Sequence, residues 1–234
     1  MSKIDLNLEM QHKLASAMKL MGYDNLWPEQ EESVYRNIAG QETLTLLATG
    51  GGKTACFVIP GLVRSHITLV ISPLRALQRD QVDALRQRGI SAYLYNGDIS
   101  DERKGEIVNE LCDMREAKKP AFLFAGPESV LTERFLKHFG EHFFHRMAID
   151  EVHCVSTWGN SFRPDYQRLG AIAQRLKIPV CSAYTATVTA KVLADIFRYT
   201  PLEKKTCRKI SGESVRYNLH LSMVDMRNIE GNRI

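Results

Sequence analysis

Two acidic residues stand side by side where a short apolar run ends. The run 147–149 leads directly into Asp150 and Glu151, and His153 follows two positions later. At the end of a buried strand, one carboxylate can hold the water shell of a nucleotide-bound magnesium ion while the next polarises the attacking water. Taken alone, the two acids are equally compatible with a solvated strand end. A second motif is needed to decide between these interpretations.

A glycine-rich turn upstream has the composition of a phosphate-binding loop. The glycines at 50–52 are followed by Lys53 and Thr54. The glycines let backbone N–H groups turn toward a polyphosphate, and the start of the next helix adds its positive dipole end. Lys53 can then reach the β and γ phosphates, and Thr54 can supply its hydroxyl to magnesium. The strict pattern also needs a glycine where Leu47 stands, so the motif is a variant that predicts ATP and Mg²⁺ as ligands.

The segment that follows the acid pair carries aromatic and cationic side chains. Trp158, Phe162 and Arg163 lie within a few residues of one another. Aromatic rings can stack on unpaired bases, and an arginine can contact phosphate. The segment therefore predicts a surface for single-stranded DNA, placed next to the predicted ATP site.

The overall composition is that of an ordinary globular domain. The chain has 234 residues, of which 44% are hydrophobic and 25% charged, and its net charge of +4 is compatible with nucleic-acid binding. No apolar run approaches the roughly 20 residues that a membrane span needs, and the N-terminus lacks a signal-peptide core. The five cysteines include no C-x-x-C pair, which argues against a disulfide framework and a zinc site. We expect a cytoplasmic protein without a membrane partner.

Short β-rich runs alternate with longer helical stretches, which predicts an α/β fold with a mostly parallel central sheet and helices on both faces. The predicted strands are 43–47, 68–72, 92–95, 121–125, 147–150 and 180–184, and the helical patterns between them include 74–88 and 101–115. In such sheets ligands gather at the carboxyl ends of the strands. The segment 50–54, Asp150 and Thr185 all fall there.

These motifs resemble the RecQ family of DNA helicases. In that family an acid-acid-x-His box runs directly into an aromatic-rich loop that couples DNA binding to ATP hydrolysis, as the segment 150–166 does here. The family's phosphate loop has the form A/P-T-G-x-G-K-[ST], which residues 48–54 match without the extra glycine of the strict pattern. The resemblance extends from about residue 21 to residue 216.

The segment 23–30 looks like the adenine-reading segment that RecQ-like proteins place ahead of the phosphate loop. The amide of Gln30 can donate to N7 and accept from N6 of adenine, and an aromatic ring can stack on the base. The family usually has arginine and glycine where this chain has Trp27 and Glu29. This difference affects how adenine is stacked and how strongly it is preferred over other bases.

Three more segments extend the resemblance along the chain. Residues 72–77 with 80–81 resemble the family's first DNA-strand motif, and residues 126–129 resemble its second. Residues 182–187 resemble the S/T-A-T motif that links the ATP site to the DNA site. Each segment follows a predicted strand, where exposed N–H groups and hydroxyls can hold phosphates.

The resemblance implies a role for each matching residue. The implied ATP-binding residues are Tyr23, Trp27, Gln30, Thr49, Gly50, Gly51, Gly52, Lys53 and Thr54. The implied catalytic residues are Lys53, Asp150, Glu151 and His153, with Thr54 and Asp150 holding Mg²⁺. The implied DNA-binding or coupling residues are Ser72, Arg75, Trp158, Phe162, Arg163, Thr185 and Thr187.

The resemblance also implies a domain organisation. We expect a RecA-like P-loop fold with an N-terminal helical segment carrying the adenine-reading motif at 1–42, the first RecA-like helicase domain at 43–210, and a linker or the start of a second domain at 211–234. Such motors hydrolyse ATP between two RecA-like domains, the second of which supplies an arginine finger. We expect that second domain to be absent from this chain.

The function implied is that of an ATP-dependent DNA helicase motor domain, acting on single-stranded or partly duplex DNA with 3′-to-5′ polarity, in a bacterial-type protein located at the nucleoid. Two alternatives stay open at this point. One is a stand-alone nucleotide-dependent DNA-binding module with little ATPase activity, and the other is a DEAD-box-like RNA helicase domain. The aromatic-rich loop argues against the RNA alternative.

Overall fold

The computed structural model describes residues 6–158 and 161–212. Their strands form one seven-stranded sheet, in which every strand pair is parallel and the order is β3-β4-β2-β5-β6-β1-β7. The strands are β1 Thr43–Leu46, β2 Ile67–Ile71, β3 Ala92–Tyr95, β4 Ala121–Ala125, β5 Arg146–Ile149, β6 Cys181–Thr185 and β7 Arg208–Ser211. The predicted α/β class with a parallel sheet is confirmed.

Helices cover both faces of this sheet. They are α1 Leu8–Met21, α2 Pro28–Ile38, α3 Lys53–Arg64, α4 Arg75–Gln87, α5 Asp101–Glu116, α6 Pro127–Val130, α7 Glu133–His138, α8 Leu169–Arg175 and α9 Ala190–Tyr199, with 3₁₀ turns at Val152–Val155 and Pro164–Arg168. No helix within the described ranges is long and apolar enough to cross a membrane.

The chain path explains which helices share a face. From β1 through β2 to β3 the chain moves toward one edge of the sheet, and after β3 it moves back. Because parallel crossovers are right-handed, this reversal puts the first helices on one face and the later helices on the other. Accordingly, Leu14, Val34, Phe57 and Val82 from α1 to α4 belong to one buried cluster. Residues of α5, α7 and α9 belong to the cluster on the opposite face.

Six strands lie within one residue of their predicted positions, and one strand was not predicted. Strand β7 pairs in parallel with β1, Arg208 lying opposite Thr43. In β7 only Ile210 is buried, and its other three residues are exposed. An edge strand of this kind has no apolar pattern, and the sequence showed only a basic stretch there. In residues 216–224 polar and apolar side chains alternate, which predicts a half-exposed strand, but this segment lies outside the described residues.

A buried polar network fixes α2 against the sheet. Arg146, only 2% exposed, donates to the side-chain and backbone oxygens of Asn37. The Asn37 amide donates in turn to Thr43 Oγ1 at 3.1 Å, and Arg64 Nε donates to Ile38 O at 2.6 Å. Burial lowers the pKa of Arg146 to about 10. Two cationic side chains therefore hold the last carbonyls of α2, where a helix dipole favours positive charge.

Candidate nucleotide and DNA site

The phosphate-binding loop connects β1 to α3 and takes a conformation that requires glycine. Gly50 has φ 77° and Gly52 has φ 73°, both in the left-handed region. A Cβ atom on Gly52 would also overlap Gln30 Nε2 and lie 3.1 Å from the hydroxyl of Tyr23. The loop therefore packs directly against two residues of the predicted adenine-reading segment, while Thr49 at its start is exposed.

Gln30 joins the start of α2 to the phosphate loop. Its Oε1 accepts a hydrogen bond from Trp27 N at 2.9 Å, and its Nε2 donates to Gly51 O at 2.9 Å. The side chain is buried, whereas the Trp27 side chain is 58% exposed. In this conformation each group of the amide has one protein partner, so Oε1 keeps a second lone pair and Nε2 keeps a second N–H. Adenine reading by Gln30 stays a prediction.

Lys53 and Glu151 form an ion pair across the site. Lys53 Nζ lies 2.7 Å from Glu151 Oε1, and His153 Nδ1 lies 3.2 Å from Glu151 Oε2. Burial favours the neutral acid, but hydrogen bonds from His153 and Lys53 outweigh it and lower the pKa of Glu151 to about 2. Hydrogen bonds to the Cys154 sulfur and the Glu151 carboxylate raise the pKa of His153 to about 9. At neutral pH, Glu151 is therefore an anion held between two cations.

Asp150 has a different environment from its neighbour. It is 3% exposed, and its Oδ1 accepts a hydrogen bond from Glu151 N at 2.9 Å. Burial, together with the nearby charge of Glu151, raises the pKa of Asp150 to about 6, while Lys53 and hydrogen bonds from Glu151 N and Gln81 act in the opposite direction. A cation placed beside Asp150 would restore its charged form.

The residues around Asp150 fit a magnesium nucleotide. Hard divalent cations take oxygen ligands, which the Asp150 carboxylate and the Thr54 hydroxyl can provide. Gln81 Nε2 donates to Thr54 Oγ1 at 3.3 Å. A cleft of about 280 Å³ opens beside Thr54 and Gln81, lined by Met21, Tyr23, Thr54, Asp80, Gln81, Ala84, Leu85 and Arg88. Thr54 therefore borders this cleft as well as offering an oxygen ligand.

The acid box contacts the end of strand β6. His153 Nδ1 lies 3.0 Å from Thr185 Oγ1, which donates to Thr187 O at 3.1 Å. Thr185 is buried and Thr187 is exposed. A continuous line of polar contacts thus runs from Lys53 through Glu151 and His153 to the predicted coupling motif.

The aromatic segment is attached to helix α9. Trp158 is 67% exposed, and Lys191 Nζ lies 3.8 Å from the centre of its ring, within the range of a cation–π contact. One turn along α9, Asp195 Oδ2 accepts a hydrogen bond from Ser156 Oγ at 2.6 Å, and Ser156 Oγ accepts one from Trp158 N at 3.2 Å. Two side chains on one face of α9 therefore hold this segment.

A second attachment connects the same segment to the acid pair. The buried Tyr166 donates its hydroxyl hydrogen to the backbone carbonyl of Asp150 at 3.0 Å. Arg163 N donates to Cys154 O at 2.9 Å, and the side chains of Phe162 and Arg163 are half-buried. The predicted DNA-contacting residues Trp158, Phe162 and Arg163 thus lie on a segment tied back to the predicted ATP site.

Ser72 and Arg75 lie apart from this cluster. Ser72 directly follows β2 and is fully buried, whereas Arg75 begins α4 and pairs with Asp98 through a 2.6 Å contact at the surface. A cleft of about 270 Å³ lies nearby, at the carboxyl ends of β3 and β4. Its lining residues are Tyr95, Asn96, Gly97, Lys104, Ser129, Thr132 and Arg134. Of Ser72 and Arg75, only Arg75 has a side chain that is exposed to solvent.

Sequence reasoning missed four residues that the structure brings into the site. Tyr166, Lys191 and Asp195 were given no role, and Gln81 was grouped with a DNA-strand motif although it contacts Thr54. For Gln81, the helical periodicity of the sequence was the signal that could have revealed its position. Gln78, Val82 and Leu85 are the buried residues of α4, which places position 81 on the inward side of the helix.

Comparisons with known proteins agree with this geometry. The family model of the DEAD/DEAH box helicases matches residues 27–196. "ATP-dependent DNA helicase RecQ" of Haemophilus influenzae is 34% identical over 216 residues, covering 92% of this chain and 34% of the relative. "ATP-dependent DNA helicase Q5" of Mus musculus is 36% identical over 185 residues, covering 76% of this chain and 19% of the relative. The chain therefore spans about a third, or less, of these curated relatives.

Solved structures share the fold at lower identity. The DNA-bound helicase MrfA aligns with a TM-score of 0.66 at 20% identity, covering 89% of this chain and 30% of that chain. A hypothetical ATP-dependent RNA helicase from Sulfolobus tokodaii aligns with a TM-score of 0.64 at 18% identity, covering 88% and 57%. From the family match and the relatives together, the chain belongs to the DEAD/DEAH box helicase family and corresponds within it to a RecQ-like first motor domain.

Proposed function

We propose that this chain is the nucleotide-binding motor domain of an ATP-dependent DNA helicase, which binds Mg-ATP and single-stranded DNA and couples hydrolysis to unwinding when joined to a second RecA-like domain. The observation that carries the proposal is the line of contacts from Lys53 through Glu151 and His153 to Thr185. It connects a phosphate-binding cation, a carboxylate and the predicted coupling motif.

The residues of the site have distinct tasks in this proposal. Lys53 leaves Glu151 to bind the β and γ phosphates, together with the backbone N–H groups of the loop. Glu151, released from Lys53, polarises the hydrolytic water as a general base. A magnesium ion held by Thr54 and Asp150 would neutralise charge on the phosphate oxygens. When Lys53 exchanges Glu151 for the phosphates, the nucleotide is bound and the base is activated in the same step.

His153 is the residue through which the nucleotide state reaches the DNA side. It contacts Glu151 and Thr185, so a change at Glu151 alters a hydrogen bond at the end of β6. Strand β6 leads to α9, whose Lys191 and Asp195 hold the aromatic segment. The proposed coupling thus follows a connected set of contacts from the nucleotide loop to the aromatic segment.

DNA is favoured over RNA as the partner. The Haemophilus influenzae and Mus musculus relatives are both named DNA helicases, and the exposed Trp158 offers a stacking surface to unpaired bases. The 3′-to-5′ polarity and a location at the nucleoid are further parts of the proposal that rest on the family resemblance. Stimulation of ATP hydrolysis by single-stranded DNA but not by RNA of equal length is the expected result, and the opposite preference would support the RNA alternative.

The proposal is tested with Lys53→Ala in the purified chain. We expect loss of ATP binding, measured with a fluorescent ATP analogue, and an unchanged circular dichroism spectrum, because Lys53 is the side-chain cation of the loop. Lys177→Ala is the matched control, since Lys177 also forms a close ion pair, with Glu141 at 2.6 Å, but is exposed beyond the end of α8. Equal affinity in both variants would refute the phosphate-loop assignment.

The need for a second domain is tested by strand separation. An arginine finger is worth roughly 10³ to 10⁵ in rate, so we expect the chain alone to hydrolyse ATP slowly and to leave duplex DNA paired. Weak DNA binding should remain and should decrease steeply with salt. Robust unwinding by the chain alone would contradict the half-motor proposal, and nucleotide-dependent DNA binding without any hydrolysis would favour the stand-alone module.

A further inference from the structure

Gln81 has a buried side-chain oxygen for which the described residues offer no hydrogen-bond donor. Its Nε2 donates to Thr54 Oγ1 at 3.3 Å, while its Oε1 is inaccessible to solvent and unpaired. Buried polar atoms in proteins are nearly always bonded, so an unpaired acceptor beside a ligand site points to a donor that comes with the ligand.

Gln78 shows that helix α4 can satisfy such a side chain fully. Gln78 lies one turn before Gln81, and its Nε2 donates to Ser72 O at 2.7 Å. Its Oε1 accepts from Asn96 Nδ2 at 3.2 Å. The unpaired oxygen of Gln81 is therefore a property of its position beside Thr54 and the 280 Å³ cleft, rather than of the helix.

The surroundings restrict which donor can reach Gln81. In the proposed nucleotide-bound state Lys53 Nζ leaves Glu151 for the β and γ phosphates, and the Thr54 hydroxyl and the Asp150 carboxyl are the oxygen groups suited to a divalent cation. Mg²⁺ is reluctant to lose its waters and usually keeps several of them in proteins. Such waters carry strongly polarised O–H groups and would lie between the cation and the surrounding side chains.

We propose that Gln81 is a positioning residue for magnesium, accepting a hydrogen bond from a metal-bound water through Oε1 while its Nε2 orients the Thr54 hydroxyl. This inference rests on the proposed function, because it requires Mg-ATP in the site. It moves Gln81 from the DNA-strand motif to the nucleotide site. One helix, α4, then begins with the surface cation Arg75 and carries a magnesium-positioning residue less than two turns later.

The experiment measures how nucleotide affinity depends on magnesium. A fluorescent ATP analogue is titrated into the chain at a series of Mg²⁺ concentrations and in excess EDTA. For Gln81→Met, which keeps the length but removes both the Oε1 acceptor and the Nε2 donor to Thr54, we expect the Mg²⁺ concentration for half-maximal binding to rise about 10- to 100-fold, as for other residues that support metal ligands. Affinity in EDTA should not change. Gln81→Glu restores an acceptor oxygen and should bring the Mg²⁺ requirement back toward the wild-type value.

Gln78→Met is the matched control, since it removes the other inward-facing glutamine of α4 and should leave the Mg²⁺ requirement unchanged. An unaltered Mg²⁺ requirement in Gln81→Met would overturn the inference alone, and so would an equal loss of affinity in EDTA, which indicates a structural role. Wild-type protein that binds nucleotide without any Mg²⁺ dependence would overturn the proposed function as well. If Gln81→Met does not fold, the smaller Gln81→Ala serves the same comparison.

Discussion

Lys53 Nζ lies 2.7 Å from Glu151 Oε1, so the cation of the phosphate loop and the carboxylate of the acid box neutralise each other in this conformation. The two side chains are 11% and 23% exposed, which reduces screening of the pair by solvent. A triphosphate must compete with this carboxylate for Lys53. In the mechanism proposed above, this ion pair keeps Glu151, the proposed general base, inactive until a nucleotide takes its place beside Lys53.

Glu151→Gln should separate binding from turnover. The amide cannot act as a carboxylate base, so we expect hydrolysis to fall about 10²- to 10⁴-fold. Affinity for Mg-ATP should stay equal or increase, because Lys53 loses its anionic partner. Steady-state hydrolysis and equilibrium binding measure the two effects, with Glu141→Gln as the control for an exposed carboxylate in an ion pair. Equal turnover in both variants would remove Glu151 from the mechanism.

The two tryptophans should report on different ligands. Trp27 contacts Gln30, which in turn contacts the phosphate loop, whereas Trp158 lies on the aromatic segment with one ring face toward Lys191. In Trp158→Phe, the emission of Trp27 should respond to ATP or ADP. In Trp27→Phe, the emission of Trp158 should respond mainly to single-stranded DNA. A silent Trp158 at saturating DNA and nucleotide would show that the segment is not the DNA sensor.

The contribution of Trp158 to affinity should be measurable as well. Base stacking on an aromatic ring is worth about 1 to 3 kcal/mol, so Trp158→Ala should weaken single-stranded DNA binding roughly 5- to 150-fold. Trp27→Ala is the matched control, because its ring is similarly exposed but lies beside the nucleotide loop. Fluorescence anisotropy of labelled DNA gives both affinities.

Asn37→Ala should destabilise the fold. It removes one of the oxygens that Arg146 contacts and leaves a buried guanidinium poorly paired, which costs about 3 kcal/mol. Arg146→Met removes the charge itself and should cost less. Urea unfolding followed by circular dichroism compares the two variants. A larger loss in Arg146→Met would show that the buried charge is itself stabilising.

The stability of the protein should decrease in mild acid because of His66. This ring stacks on His145 with centroids 4.5 Å apart. Burial, then the charges of His145, Arg146 and Arg64, lower the pKa of His66 from 6.5 to about 4. As the pH falls below 6.5, the unfolded chain binds a proton at His66 before the folded protein does. The free energy of unfolding is therefore highest above pH 6.5 and decreases as the pH falls toward 4.

The measurement is thermal unfolding of wild type and His66→Asn between pH 4 and pH 8. His66 is partly exposed, so we expect the pH-dependent difference in unfolding free energy to be only about 1 kcal/mol. The wild type should lose more stability than the variant on acidification, because the variant lacks the His66 ring. Both proteins keep His145, whose pKa is lowered by burial and by the charge of Arg115. Parallel pH curves would contradict a role for His66.

The strands and the phosphate loop could be predicted because their signals are local. Apolar runs such as Ala121–Ala125 and the glycines before Lys53 define strand and turn without reference to the rest of the chain. The strand β7 could not be predicted, because an exposed edge needs few apolar residues. Its partner β1 supplies the pairing, and that pairing depends on the completed sheet.

The contacts of the site depend on topology and were beyond the reach of sequence spacing. Lys53 and Glu151 are 98 positions apart and meet only because β1 and β5 end at the same edge of the sheet. For the same reason Gln81 was grouped by motif with the DNA side, although its side chain faces Thr54. Residue types could be read from the sequence, whereas the partners of each residue required the fold.

The hydrogen bond from the Tyr166 hydroxyl to Asp150 O joins the two ends of the loop that carries the aromatic segment. Joining the ends of a loop costs conformational entropy, and here that cost belongs to folding because the bond is present before any ligand binds. In the proposed DNA complex, a base stacked on Trp158 therefore meets a segment whose ends are already fixed. Less of the stacking free energy is spent on ordering this segment. More of it can therefore contribute to DNA affinity or be transmitted to Asp150 and Glu151.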